Sequence, residues 1–378
     1  MSSARSVAPA CLEEGRRMAS ICNACRYCEG YCAVFPALER RLSFTDGDLA
    51  YLANLCHDCG ACYYACQYAP PHEFQLDFPK IMTQIRDATY RQYAWPGLLA
   101  MLFEHNGLVV GLMAVAGAVD FLLGMAVFVG RQALLSAHPD STGAFYALMP
   151  HAIIAWTFGA VFALAVAALV VASARFWRGI GEEPEAFLSP GPFSRAIDSA
   201  LQLEYLRGGG DGCNNRDDRP SQARRVCHQI TVYGFLLCFA ATCVATVYHY
   251  ALGRHAPYAF WSLPVLLGSV GGIGLLVGPA GLAWLRARRD PALAGGKQIG
   301  MDWGFLLLLP LVSVTGLLLL VLRETATMGA MLALHLGTVM ALFITLPYGK
   351  FVHAVYRFAA LVRYHVERRR PLPELGPE

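Results

Sequence analysis

The chain has 378 residues, of which 56% are hydrophobic and 15% are charged, with a formal net charge of +3. This composition excludes an ordinary soluble globular protein, because a water-exposed surface needs more charged residues. The lysines and arginines cluster between apolar runs and form no DNA-binding signature, so we expect no nucleic-acid partner. Most of the chain should therefore lie in a lipid bilayer.

The N-terminal part of the chain is polar and rich in cysteine. Eight of the 13 cysteines fall between Cys22 and Cys66 in two evenly spaced groups. This pattern differs from a secreted disulfide framework and is typical of reduced thiolates that bind metal in the cytosol. Residues 1–20 carry several charges and no apolar core of signal-peptide length, so we expect the segment to stay in the cytoplasm.

Both cysteine groups have the spacing C-x2-C-x2-C-x3-C. In two-cluster ferredoxins the first three thiolates of such a run bind one cubane, and the fourth binds the other cubane. We therefore predict two [4Fe–4S] clusters lying side by side. The predicted ligands are Cys22, Cys25, Cys28 and Cys66 for cluster 1, and Cys56, Cys59, Cys62 and Cys32 for cluster 2.

Structural zinc is the alternative, because two C-x2-C pairs can hold a zinc ion. Zinc leaves the third and fourth cysteine of each run without a role, which favours iron–sulfur clusters. The proline that usually follows the fourth cysteine is absent, since Ala33 and Gln67 stand there. Cys213 and the other remaining cysteines lack ligand spacing and are interpreted as core or incidental residues.

Six apolar runs follow the cysteine-rich part, each near the roughly 20 residues that a membrane-spanning helix needs. Basic residues such as Arg178 and Arg286 concentrate in connectors on the side of the head, which marks that side as cytoplasmic. Helical patterns at 38–42 and 48–55 predict a helical head. The apolar runs cover residues 108–129, 150–171, 231–252, 260–283, 303–322 and 328–347.

The predicted fold is therefore all-α. It combines a helical dicluster ferredoxin-like head at residues 1–95 with a six-helix transmembrane bundle at residues 96–378, which includes a long cytosolic connector at 176–227. Glycines from Gly268 to Gly278 lie inside the fourth apolar run with no preceding strand. They predict close helix packing rather than a nucleotide-binding loop.

Histidines in or beside the apolar runs are candidate functional residues, because an ionisable side chain in lipid is costly without a partner. His228 and His249 bracket the third run, and His335 and His353 lie 18 residues apart around the sixth. Each helix thus carries one histidine near each membrane face. Taken singly, each residue is equally well read as a hydrogen-bonded or interfacial histidine.

The matched pattern favours two b-type haems with paired axial imidazoles. The outer haem is predicted to be bound by His249 and His335, and the inner haem by His228 and His353. His151, at the outer start of the second run, is an alternative ligand.

Four segments carry a resemblance to a known family: ICNACRYCEGYCAVFPA, LCHDCGACYYACQYAPPHEF, GFLLCFAATCVATVYHY and ALHLGTVMALFITLPYGKFVH. They resemble the tricarballylate utilisation protein B family (TcuB, also called CitB), and the likeness covers nearly the whole chain. The same module is similar to the C-terminal half of the precorrin-3B synthase CobZ. The resemblance implies two [4Fe–4S] clusters, haem b, and reoxidation of an FAD-containing, TcuA-like dehydrogenase with delivery of electrons to quinone.

Together the residues and the resemblance predict a multi-pass protein of the inner (cytoplasmic) membrane that acts as the electron-transfer subunit of an oxidoreductase. The organic step, of the tricarballylate dehydrogenase kind, would belong to the partner flavoprotein, so no catalytic residue is assigned. The alternatives are a membrane subunit of a heterodisulfide-reductase-like or corrin-biosynthesis redox complex, and a redox sensor.

Overall fold

The structure is a computed structural model that describes residues 7–138, 143–214, 216–217, 219–293 and 298–371. It is 73% helical, which confirms the predicted all-α fold. Within the described ranges, β-structure is limited to one antiparallel pair in the long connector, β1 Cys213–Asn214 and β2 Pro220–Ser221.

Five helices form the cysteine-rich head: α1 Pro9–Cys25, α2 Val34–Leu38, α3 Asp46–Leu55, α4 Ala61–Tyr64 and α5 Phe78–Tyr93. Helix α3 starts at a capping box in which Thr45 and Asp48 satisfy each other's backbone N–H groups. The helix predicted at 38–42 is instead α2, Val34–Leu38, which ends at the first residue of the predicted range. The apolar residues of α2 pack into the core, whereas Leu42 is 74% exposed.

Among the described residues, six helices are long and apolar enough to cross a membrane, and each overlaps one predicted run. This arrangement is compatible with a multi-pass membrane protein. Within the bundle α13 packs on α14, α7 on α16, and α15 on α14, α16 and α7. The six helices are α7 Asn106–Val129, preceded by α6 Gly97–Leu102, then α10 His151–Gly179, α13 Ala223–Leu252, α14 Leu263–Ala287, α15 Gln298–Leu322 and α16 Met328–Thr345.

Short helices complete the chain, and the last of them enters the head. Tyr356 of the C-terminal helix stacks on Phe176 near the end of α10, with ring centroids 4.9 Å apart, and also contacts Tyr90 of α5. The head's hydrophobic core therefore includes residues from both sides of the predicted division at residue 95. These elements are α8 Arg131–Leu134, α9 Ala144–Leu148, α11 Pro184–Phe187, α12 Pro190–Gln202 and α17 Val352–Glu367.

A buried ionic network fastens α17 to the head. The Glu367 carboxylate accepts hydrogen bonds from Arg41, from Arg363 at 2.9 Å and from the Tyr51 hydroxyl at 3.1 Å. Asp48 accepts a further bond from Arg41 at 2.7 Å. Charged side chains buried in this way are compatible with a stable fold only while their partners remain in place.

Replacing Glu367 with glutamine should lower the free energy of unfolding by about 3–5 kcal/mol, because two buried guanidinium groups lose a charged partner. Thermal unfolding of the protein in detergent would measure this loss. Glu14→Gln is the matched control, since the Glu14–Arg17 pair is 39% and 41% exposed and such pairs contribute at most about 1 kcal/mol. Equal effects of both substitutions would contradict the argument.

The glycines of α14 let it pack closely on α13, as their pattern predicted. A Cβ added at Gly271 would lie 2.8 Å from both the Cys238 nitrogen and the Gly234 oxygen of α13. At Gly268 the nearest atom would be the Ala241 Cβ, 3.7 Å away, which is ordinary contact.

Gly271→Ala should therefore destabilise the bundle by about 1–3 kcal/mol, the cost of overpacking a filled interface. Gly268→Ala carries the same gain in helix propensity and should leave stability unchanged or slightly raised. Unfolding midpoints of the two variants in the same detergent provide the comparison. If Gly271→Ala proved as stable as Gly268→Ala, close packing at this position would be refuted.

Candidate functional site

The four cysteines predicted for cluster 1, the first cysteine set, line one cavity of the head. Cys22, Cys25, Cys28 and Cys66 all face this space of about 270 Å³. Cys62, which is predicted to bind cluster 2, lines the same cavity, so the two sets adjoin. The structure thus brings together the crossed set of thiols, while cluster binding itself stays a prediction.

Local backbone geometry explains how the first cysteine set converges. Cys22 and Cys25 lie one turn apart at the end of α1, and the Arg26 N–H donates to the Cys22 oxygen at 2.9 Å. Arg26 has a φ of 57°, in the left-handed region. This residue ends the helix and reverses the chain, which returns Cys28 to the same cavity. Cys66 arrives from the other run, just after α4.

The second cysteine set, Cys56, Cys59, Cys62 and Cys32, lies deeper in the head. Cys32 and Cys62 lie close enough to Cys56 and Cys59 for the charges of their thiolates to interact. Cys56 follows α3 directly and is 7% exposed. Gly60 has a φ of 82°, a conformation that L-residues rarely adopt, and it turns the loop into α4.

The arrangement of the thiols bears on the zinc alternative. In the described part of the chain, no group of three His, Cys, Asp or Glu side chains converges tightly enough for a single metal ion. A cubane offers separate iron corners to four thiolates. Four cysteines lining one cavity therefore fit a cluster, and zinc stays the alternative.

Sequence reasoning missed Cys213 beside the second cysteine set. This buried thiol lies in β1 and is in hydrogen-bonding contact with Cys59. No spacing pattern could have found it, because the long connector brings it back from far along the chain.

A second cavity, of about 390 Å³, lies between the head and the apolar helices, and we call it the membrane pocket. His57 of the cluster 2 loop, His228 of α13 and His353 of α17 are among its lining residues. Apolar side chains of α13, α14 and α15, among them Phe235 and Phe305, form a large part of the wall, and charged side chains line the remainder. The pocket thus joins the second cysteine set to the apolar bundle.

His228 and His353, the predicted inner haem pair, face each other across the membrane pocket. Their ring centroids are 6.0 Å apart with an interplanar angle of 81°. Metal–imidazole bonds are roughly 2 Å long, so two axial imidazoles on one iron place their ring centres roughly 6 Å apart. This spacing fits a six-coordinate haem iron.

The protonation of His353 also suits a metal ligand. Its Nδ1–H donates to the Lys350 carbonyl, which leaves Nε2 as the free acceptor. Burial, reinforced by the charge of Arg357, holds the pKa of His353 well below its usual value, so the ring is neutral at pH 7. His228 Nδ1 is buried and has no hydrogen-bond partner among the described residues.

Comparison with known proteins identifies the family. The family model for Citrate utilization protein B matches residues 101–374, and the model for its Fer4-like domain matches residues 15–93. The chain belongs to the citrate utilization protein B family. Citrate utilization protein B of Escherichia coli is 51% identical over 358 residues, which cover 94% of this chain and 93% of that protein. No solved structure matches the chain.

The family assignment confirms the resemblance predicted from the four segments. The Fer4-like match over the head supports iron–sulfur binding in this family member. The family and the apolar helices together fit a membrane-associated electron-transfer role in citrate or tricarballylate utilisation.

The outer histidines of this family member are arranged differently from the inner pair. The His249 ring stacks on His151, with centroids 3.5 Å apart, and its Nδ1 is 3.1 Å from Nδ1 of His255. His335 lies instead against α15, with Nδ1 3.2 Å from the Thr315 hydroxyl. The structure thus brings His249 to the alternative ligand His151. Binding of the outer haem by His249 and His335 stays a prediction.

Proposed function

We propose that the chain carries electrons from a reduced FAD-containing dehydrogenase, through two [4Fe–4S] clusters and haem b, to quinone in the inner membrane. The observation that carries this proposal is the order of the sites. The first cysteine set lines a cavity where Tyr27 is 67% exposed, the second set adjoins it, and the loop of the second set lines the membrane pocket. Electrons entering at the surface would thus have a continuous route towards the bilayer.

Charge in the membrane pocket supports haem as the occupant. Six cationic side chains and two carboxylates line it, an excess of four positive charges. Buried charge is costly unless it is paired, and haem b brings negative propionates together with an apolar ring. Bound there, haem would serve as a one-electron carrier. The cationic residues are Arg86, Arg224, Arg286, Arg289, Lys350 and Arg357.

This chain's own residues would hold and orient that group. His228 and His353 are the proposed axial ligands, and the Lys350 carbonyl fixes the His353 tautomer. Lys350 is itself paired with Asp302 at 2.6 Å, as is Arg286 at 3.0 Å. For a second, outer haem we propose His249 and His335 as the ligands. His151 is the alternative to His335, and its ring would first have to leave its stack on His249, because centroids 3.5 Å apart leave no room for an iron between them.

The partner and the location complete the proposal. The E. coli relative is named for citrate utilisation, so we propose a flavoprotein that oxidises a tricarboxylate as the electron donor. That flavoprotein would carry out the organic step, and this chain would reoxidise its flavin. The head, residues 1–95, would face the cytoplasm, because basic connectors flank it.

One preparation tests this function. Protein purified anaerobically in detergent should contain about eight irons and eight sulfides in clusters per chain, and dithionite should produce the sharp α-band of reduced haem b. Adding decylubiquinone to the reduced protein should reoxidise clusters and haem together. Zinc in place of iron, or clusters that quinone fails to reoxidise, would overturn the proposal.

A further inference from the structure

We infer that the two clusters have different roles, with cluster 2 at the higher reduction potential and serving as the electron exit towards the membrane. The feature that sets this order is a group of four arginines around residues 56–58, which we call the arginine clamp: Arg86, Arg224, Arg289 and Arg357. The inference rests on the proposed function, because it requires both clusters to be bound.

Two members of the arginine clamp donate hydrogen bonds to the same carbonyl. Arg86 of α5 and Arg357 of α17 both donate to the Cys56 oxygen, at 2.5 and 2.6 Å. Arg86 is 3% exposed, and Arg357 faces the membrane pocket. Two positive charges from opposite ends of the chain are therefore fixed beside a predicted ligand of cluster 2.

The other two members of the clamp hold Asp58. Arg289 donates to both carboxylate oxygens, at 2.5 and 2.6 Å, and Arg224 of α13 donates to the Asp58 carbonyl at 2.9 Å. Asp58 has a φ of 54°, which is uncommon for a residue with a side chain. This conformation directs the Asp58 N–H to the Cys56 sulfur, 3.4 Å away. The clamp thus supplies a hydrogen bond to sulfur as well as charge.

Both effects favour the reduced state of cluster 2. Reduction adds one negative charge, which nearby cations and N–H···S bonds stabilise. Burial of Cys56 acts in the opposite direction, because desolvation disfavours added charge. The cations should decide the sign, because four guanidinium groups outnumber the two nearby carboxylates, Asp58 and Asp302. Coulomb interactions are strong where water is excluded.

Among the described residues, no lysine or arginine lines the cavity of the first cysteine set. Four arginines, in contrast, donate hydrogen bonds to residues 56–58 of the second set. Cluster 1 therefore has the lower potential, and it lies on the exposed side. His57, which lies between Cys56 and Asp58, lines the membrane pocket. Electron flow from cluster 1 to cluster 2 is thus energetically downhill and directed towards the bilayer.

The test is an EPR-monitored redox titration of the intact holoprotein. Wild type should show two cluster potentials, and Arg357→Gln should move only the higher one to a more negative value. Arg224→Gln should do the same by a route that leaves the Cys56 carbonyl contacts in place. Arg357→Lys keeps the positive charge, so it should leave the higher potential close to its wild-type value. Arg17→Gln, an exposed residue of α1 outside the clamp, is the control and should leave both potentials unchanged.

The outcomes separate this inference from the proposed function. Movement of the lower potential, equal movement of both, or no movement in Arg357→Gln and Arg224→Gln would overturn the assignment of cluster 2 as the exit. A wild-type protein with no [4Fe–4S] signal would overturn the proposed function, and this inference with it. Two clusters with the reverse order of potentials would leave the proposed function standing and refute only the inference.

Discussion

Replacing Cys66 with alanine should remove the same cluster as replacing Cys22, although the two residues belong to different sequence runs. Iron and sulfide should each fall by about half, to about four per chain, and the remaining EPR signal should be identical in the two variants. The physical reason is that both thiols line one cavity of the head. Iron analysis and EPR of anaerobic preparations measure the result.

The complementary pair provides the control for that experiment. Cys32→Ala and Cys59→Ala should both abolish the other signal and keep the one lost in Cys66→Ala. Cys11→Ala should retain both clusters, because Cys11 lies outside both runs. If Cys66→Ala instead matched Cys59→Ala, each run would bind its own cluster and the crossed arrangement would be wrong.

Replacing His228 with alanine should remove the inner haem and stop electron delivery to quinone. The pocket would gain the space of the missing ring but lose one of the two proposed imidazole ligands, and a single ligand holds haem iron less firmly. If two haems are present in wild type, the haem content should drop by about half. The pyridine haemochrome spectrum gives the haem count, and reoxidation by decylubiquinone gives the rate.

Two further substitutions distinguish ligation from a general loss of structure. His228→Met should keep a haem ligand and shift the haem potential upwards, as Met/His ligation does. His105→Ala, at an exposed residue before α7, should retain full haem content. Undiminished haem in both His228→Ala and His353→Ala would exclude this pair as ligands.

The sequence predicted the features that depend on local patterns. Six apolar runs were recognisable because a helix in lipid must be apolar over its whole length. The cysteine spacing also indicated which thiols would meet, including Cys66 with Cys22. The close packing of α14 followed from glycines such as Gly271. Each of these signals lies within a few dozen residues of chain.

The remaining features depend on contacts between distant segments, which no spacing reveals. The Cys56 carbonyl is bound by Arg357, 301 residues away. Cys213 reaches Cys59 only through the path of the long connector. The partners of His249 depend on how the outer ends of α10 and α13 approach each other, and that approach favoured His151 over His335. Helical periodicity places a histidine at a membrane face but does not choose its neighbour.

The return of α17 to the head sets the order in which the protein can mature. Arg41 is synthesised early, but its partner Glu367 follows 326 residues later. The ionic core of the head therefore closes only after all six apolar helices have left the ribosome. Cofactor loading that requires a finished head would act on the completed, inserted chain, and a nascent polypeptide halted before α17 would leave its thiols open to oxidation.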